Sequence, residues 1–203
     1  MTHALGVVLA VGGGAVLITL AVLFTGTREI ISVAVFSAAL VLLYTASTLY
    51  HLARRPELKS KLKVLDHCAI FVLIAGTYTP FTVSAMQGIW GWSLFGIIWS
   101  LAVVGIVVKL FFTGRFRYLS TITYVGMGWL MVVAFVPLTE AVSPLVLGWL
   151  IAGGVFYTAG TLFYHNHRLP FSHAIWHLFV LAGSICHFTA VTAQLIAPQL
   201  MIH

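Results

Sequence analysis

Apolar residues run through this chain in seven long stretches separated by short polar breaks: 4–24, 30–50, 67–86, 89–112, 119–136, 144–164 and 173–196. Each is close to the ~20 residues that a helix needs to cross a bilayer. The pattern predicts an all-α integral membrane protein, with one seven-helix transmembrane domain over residues 1–203. Between the second and third stretches, residues 52–65 mix Leu and Val with Lys and Arg at near-helical spacing. That spacing predicts a short helix lying on the membrane surface. Pro80 falls inside the third helix and is expected to kink it. Gln87-Gly88 leaves room only for a very tight turn, and Pro170 with Ser172 as N-cap suits the start of the seventh helix. The first stretch has 21 residues and no cationic leader, so it reads as a retained helix rather than a cleaved signal peptide.

Composition strengthens this picture. Of 203 residues, 61% are hydrophobic and 7% charged, against about 25% charged in an ordinary soluble domain. The net charge of +6 would suggest nucleic acid if it were spread evenly, but it is not. With the faces numbered alternately, Arg54, Arg55, Lys59, Lys61, Lys63, Lys109, Arg115, Arg117 and Arg168 fall on the first face and only Arg28 on the other. Loops rich in Lys and Arg stay cytoplasmic. The N-terminus is therefore expected in the cytoplasm and the C-terminus outside it. The basic loops then serve as topology signals and contacts to anionic headgroups, which makes membrane lipid a partner and leaves nucleic acid no role. Lys109, near the end of the fourth stretch, is expected to snorkel to the interface.

This topology collects the unusual polar residues into one layer. His51 ends the second helix at the cytoplasmic side, where Asp66 and His67 begin the third. His173 opens the seventh helix there, with His177 one turn deeper. A helix turns ~100° per residue, so residues four apart share a face about 6 Å apart along the axis. His173-x-x-x-His177 therefore suits two imidazoles gripping one metal ion, with His51 as a third ligand. Three histidines and an open position are a known catalytic zinc arrangement. Asp66 is the nearby carboxylate that would orient a water or carry its proton. Ser47 shares the face of His51, one turn deeper, and could bond that water or a developing oxyanion. The residues between the histidines are Ala-Ile-Trp, so there is no His-Glu-x-x-His protease motif.

Plainer roles compete with these. His51 could cap its helix at the negative end of the dipole, Asp66 could N-cap the third helix, and Ser47 could bond back to its own backbone. His67 reads as interfacial, His165 and His167 as a loop-edge pair, and His187 as a core hydrogen-bonding group. Cys68 and Cys186 lie at different depths and read as packed thiols. Tyr44-Thr-Ala-Ser-Thr-Leu-Tyr-His51 is echoed weakly by Tyr157-Thr-Ala-Gly-Thr-Leu-Phe-Tyr-His165.

Three segments carry a resemblance: Ser47-Thr-Leu-Tyr-His51, Asp66-His-Cys-Ala-Ile-Phe-Val-Leu-Ile-Ala-Gly-Thr-Tyr-Thr-Pro80, and His173-Ala-Ile-Trp-His177-Leu-Phe-Val-Leu-Ala-Gly-Ser. Together they resemble the haemolysin III family, the bacterial branch of the progestin and adipoQ receptor group, within a superfamily that includes alkaline ceramidases. The resemblance runs nearly end to end. It implies a Zn²⁺ held by His51, His173 and His177, with Asp66 partnering the water and Ser47 completing the polar set. It also implies a bacterial inner-membrane location and, through the superfamily, hydrolysis of a lipid amide. Two other readings stand beside the hydrolase: a membrane-homeostasis or sensor protein with structural zinc, and a haemolysin-like cytolysin or conduit.

Overall fold

The computed structural model describes residues 2–113, 115–166 and 168–200, without the side chains of Arg117 and 197–200. The helices are α1 (Thr2–Phe24), α2 (Thr27–Leu52), α3 (Pro56–Thr79), α4 (Ile89–Phe112), α5 (Arg117–Gly128), α6 (Phe135–Ala141), α7 (Pro144–His165) and α8 (Ser172–Leu200). A π-helical turn, Pro80–Ala85, follows α3, and a 3₁₀ turn, Leu130–Ala134, precedes α6. No strand occurs among the described residues. Among the described residues, seven segments are long and apolar enough to cross a membrane, as the hydropathy pattern predicts. The helices fall into two compact units, His3–Met127 and Gly128–His203.

In the first unit, α2 and α3 form the interior. Their apolar windows are 56% and 67% buried, against 22% for α1 and 28% for α4. Val33, Phe36, Leu40, Tyr44, Phe71 and Ala75 fill this core, whereas α1 and α4 turn Val8, Leu23, Val104 and Phe111 outward. Outward apolar side chains suit a hydrocarbon solvent, in which helices associate through close packing of small residues rather than a hydrophobic drive. Gly105 shows this closeness, since a Cβ there would come within 2.2 Å of the Phe71 ring.

The structure revises several local expectations in this unit. The predicted surface helix at 52–65 is instead the beginning of α3, and only Ala53–Arg55 links α2 to it. Pro56 sits in the first turn, where its missing N–H costs nothing, and Glu57 lies beside the positive helix end. At 1.5 Å per residue, the 30-residue segment Pro56–Ala85 is ~45 Å long, more than the ~30 Å hydrocarbon layer needs. Its basic first turns therefore extend the helix beyond the apolar span instead of lying flat. One contact among them is the Lys59 ammonium over the Tyr50 ring, 5.6 Å from its centre.

Asp66 accordingly lies mid-helix and is no N-cap. Pro80 gives the π turn rather than a simple kink: it has no N–H to donate, and the turn closes with Met86 N–H donating to the Phe81 carbonyl at 2.7 Å. The tight turn is as expected, with Gly88 at φ +81°, a left-handed conformation that favours glycine. Lys109 does not snorkel; it is buried and donates to the Ser120 hydroxyl. Burial of an ammonium is tolerable only with such a partner.

The second unit is built on the antiparallel pair α7 and α8, packed through small residues. Gly153 admits the His187 ring and Gly183 the Tyr157 ring, while Gly160 lies against Trp176 and Phe179. Ser143 caps α7 by accepting from the Val146 N–H, with Pro144 in the first turn. The Phe171 carbonyl, not the Ser172 side chain, takes the first α8 bond, from the Ile175 N–H. Ser172 therefore lies inside the helix, after Phe171 at φ 60°. The fifth apolar stretch is interrupted as well: α5 ends at Gly128 and α6 starts at Phe135. Pro137 cannot donate a backbone bond to the preceding turn, so the chain tightens to 3₁₀ there.

Candidate metal and polar site

His173 and His177 stand one turn apart on α8, and their Nε2 atoms approach to 2.9 Å, with ring centres 4.5 Å apart. Two neutral imidazoles turning the same nitrogen toward one point is the arrangement a chelate needs. His177 is buried and His173 exposed at the helix start. Tyr164 of α7 packs near both His173 and Trp176, at ring-centre distances of 6.4 and 5.5 Å. This aromatic wall limits the rotamers open to His173. His51, the third ligand expected from the sequence, belongs to the first unit.

In the first unit, α2 presents Tyr44, Ser47 and His51 at spacings of three and four, hence on one face. Ser47 is 2% exposed. Its hydroxyl lies 2.8 Å from Nδ1 of His3 on α1. The back-bonding alternative for Ser47 gives way to this tertiary partner. His51, at the exposed end of α2, has the Tyr50 ring beside it at 4.8 Å.

His3 is the residue that sequence reasoning missed. The depth argument that groups His51 with Asp66 also puts the start of the first span in that layer, so the signal was present. His3 is 6% exposed, with its ring edge-on to Tyr44 at 5.1 Å and 85°. Gly6 makes room for that ring, since a Cβ there would fall 2.4 Å from Tyr44.

Three further histidines have other contacts. His67 Nδ1–H donates to the Lys63 carbonyl at 2.6 Å, a bond to its own helix. His187 Nε2–H donates to the Leu150 carbonyl at 3.2 Å, the core hydrogen bond expected of it. His165 packs against Tyr164, and His167 lies outside the described residues. Cys68 and Cys186 are both free and buried. In the α7 echo, Gly160 stands where α2 has Ser47, and the position packs aromatics instead of carrying a hydroxyl.

Comparison with known proteins places these residues in a family. The family model described as "Haemolysin-III related" matches residues 1–188. The chain is 44% identical to the "Hemolysin-3 homolog" of Bacillus subtilis (strain 168), covering 94% of this chain and 90% of that protein. It is 42% identical to the "Hemolysin-3" of Bacillus cereus, covering 94% and 87%. A more distant relative is the human "Monocyte to macrophage differentiation factor", 28% identical over 94% of this chain and 80% of that protein.

Proposed function

The chain belongs to the haemolysin-III related family and is a multi-pass membrane protein, and we propose that it is a zinc-dependent hydrolase of a lipid-like amide. Its place in this reading is a bacterial inner membrane, with the N-terminus and the site at the cytoplasmic side and the C-terminus outside. The observation that carries the proposal is the convergence of the His173 and His177 Nε2 atoms at 2.9 Å. His51, His173 and His177 would hold the metal. A zinc ion bound there would supply Lewis-acid polarisation of a carbonyl and acidify a water.

The chain's own groups would do the rest. Asp66 accepts the proton of the attacking water and later delivers one to the leaving nitrogen, as a positioned acid–base carboxylate does. Ser47, a buried hydroxyl, would complete the polar set. A lipid substrate is reached laterally through the hydrocarbon layer, so an acyl chain stays in apolar surroundings while its carbonyl meets the polar layer. The basic turns Arg54–Lys63 offer charge to a headgroup at the same face.

The test is metal content by mass spectrometry on detergent-purified protein, followed by a lipid-amide hydrolysis screen with ceramide as first probe. About one zinc per chain, lost when His51, His173 or His177 becomes Ala, supports the site; folded parent protein that takes no zinc sinks the reading. A second reading, a membrane-homeostasis protein or cytolysin with structural zinc, is favoured by the names of its Bacillus relatives, which speak of haemolysis. Zinc retained with every tested amide untouched, and lysis of red cells by the purified protein, would support it.

A further inference from the structure

We propose that the groove at the end of α7 binds an anionic phospholipid, its phosphate held by Arg168 and Asn166 and its acyl chain laid against Leu162. Four residues of the second unit, Leu162, His165, Asn166 and Arg168, line a cavity of about 470 Å³. That volume falls in the range of about 300–1,000 Å³ usual for ligand clefts. The groove is polar at one end and apolar at the other, as a phospholipid is. His165, edge-on to Tyr164 at 5.0 Å, is fixed in its wall. None of the four is a residue of the proposed metal set, so the inference stands apart from the hydrolase reading.

Charge selects the headgroup. Residues 128–203 hold one formal cation, Arg168, and one acidic side chain, Glu140. Glu140 precedes α7 and Arg168 follows it, so the 22 residues of that helix keep them ~33 Å apart along the axis. Arg168 is exposed, and no carboxylate side chain of its own unit lies near to answer its charge. Its guanidinium offers a fork of N–H donors that fits two phosphate oxygens at once. The negative end of α7, roughly half a charge, opposes an anion, but the full charge of Arg168 exceeds it. One of the terminal carbonyls, that of Phe163, is already taken by the Asn166 N–H at 3.1 Å. A choline headgroup fits less well, because its ammonium meets Arg168 with no acid beside it.

The turn sets Asn166 for the same task. Its Oδ1 accepts from the Arg168 backbone N–H at 3.1 Å, which leaves the two amide N–H donors for a ligand. Both polar groups of the site therefore belong to one turn.

Leu162 makes the anion a lipid's. It stands four residues before Asn166 on the same face of α7, and 72% of it is exposed. A free phosphate has no use for an apolar wall. Val155 and Ile151, seven and eleven residues before Leu162, are exposed on that face as well. From Leu162 to Ile151 this track runs ~16 Å, about one leaflet of a ~30 Å hydrocarbon layer. In the orientation proposed above, the groove meets the cytoplasmic leaflet, whose anionic lipids attract basic side chains.

The experiment titrates the full-length chain, purified in neutral detergent, with phosphatidylglycerol, phosphatidylcholine or glycerol phosphate, and native mass spectrometry counts the adducts. The variants are Arg168→Gln, which keeps the backbone N–H of the turn, Arg168→Lys, and Lys61→Gln, which removes an equal charge from α3. One phosphatidylglycerol adduct of highest affinity is expected, weakened about tenfold or more by Arg168→Gln through loss of a charge-assisted pair. Arg168→Lys keeps the charge without the fork and should weaken it about threefold. Lys61→Gln, exposed and away from the groove, should change it by less than about twofold.

Equal losses in Arg168→Gln and Lys61→Gln would mean diffuse attraction and overturn the proposal, as would parental binding in Arg168→Gln. Phosphatidylcholine bound as tightly as phosphatidylglycerol overturns the headgroup assignment. Glycerol phosphate displacing the lipid at equal concentration makes the occupant a free phosphate and overturns the lipid. If Arg168→Gln does not fold, Arg168→Lys decides, and parental affinity there overturns the site.

Discussion

His173 and His177 face each other through the same ring nitrogen, Nε2 to Nε2, at 2.9 Å. At that separation at most one of the two can be the donor, and a bound cation relieves the competition by taking both lone pairs. Replacing either by Ala should weaken zinc binding by more than the about 10–100-fold that loss of an outer-shell partner causes. Isothermal titration of chelator-stripped protein measures this, and parental affinity in either variant would remove the site.

Asp66 is expected to separate binding from chemistry. Asp66→Asn keeps the shape of the side chain but cannot take up a proton. Zinc content should stay at the parental level while turnover of a hydrolysed lipid amide falls by about 10²–10⁴-fold, the range of general acid–base catalysis. Full activity in this variant would exclude the role.

Gly153 is expected to be intolerant of any side chain. A Cβ there would lie 2.2 Å from His187 Cδ2, and His187 is held by its bond to the Leu150 carbonyl. Gly153→Ala should destabilise by about 1–3 kcal/mol, the usual cost of overpacking, read as a lower thermal midpoint in detergent. The control is Gly148→Ala, where a Cβ meets nothing within 4 Å.

Lys109 and Ser120 should respond asymmetrically. Ser120→Ala leaves a buried ammonium without its hydroxyl partner, a loss of about 1–3 kcal/mol. Lys109→Met removes the charge while keeping the length, and should be close to neutral or stabilising. Thermal unfolding of the two variants side by side tests this, and equal effects would refute it.

The orientation can be read chemically. Lys61→Cys, exposed in the basic first turns of α3, should react with a membrane-impermeant maleimide only once the cytoplasmic face of vesicles is accessible. The native Cys68 and Cys186 are buried and give little background. Labelling from the outside of intact cells would invert the topology.

Hydropathy alone determined that the chain carries seven segments long and apolar enough to cross a membrane. Runs of about twenty apolar residues have few other solutions, because every backbone polar group must be satisfied within its own helix. Sequence spacing also determined the His173–His177 pair, since i and i+4 on one helix are neighbours whatever surrounds them. It placed Ser47 and His51 on one face by the same rule.

What the sequence did not reveal depended on contacts between helices. Hydropathy marks where the apolar span begins, not where the hydrogen-bonded helix begins, so the basic turns of α3 read as a separate surface element although Pro56 starts one continuous helix. Lys109 read as snorkelling because its length allows it, and only tertiary packing could supply Ser120 as its partner. The link from His3 to Ser47 spans two helices, and no periodicity within either one encodes it. Tertiary structure decided which polar groups satisfy one another, because a buried donor must find its acceptor in space and not along the chain.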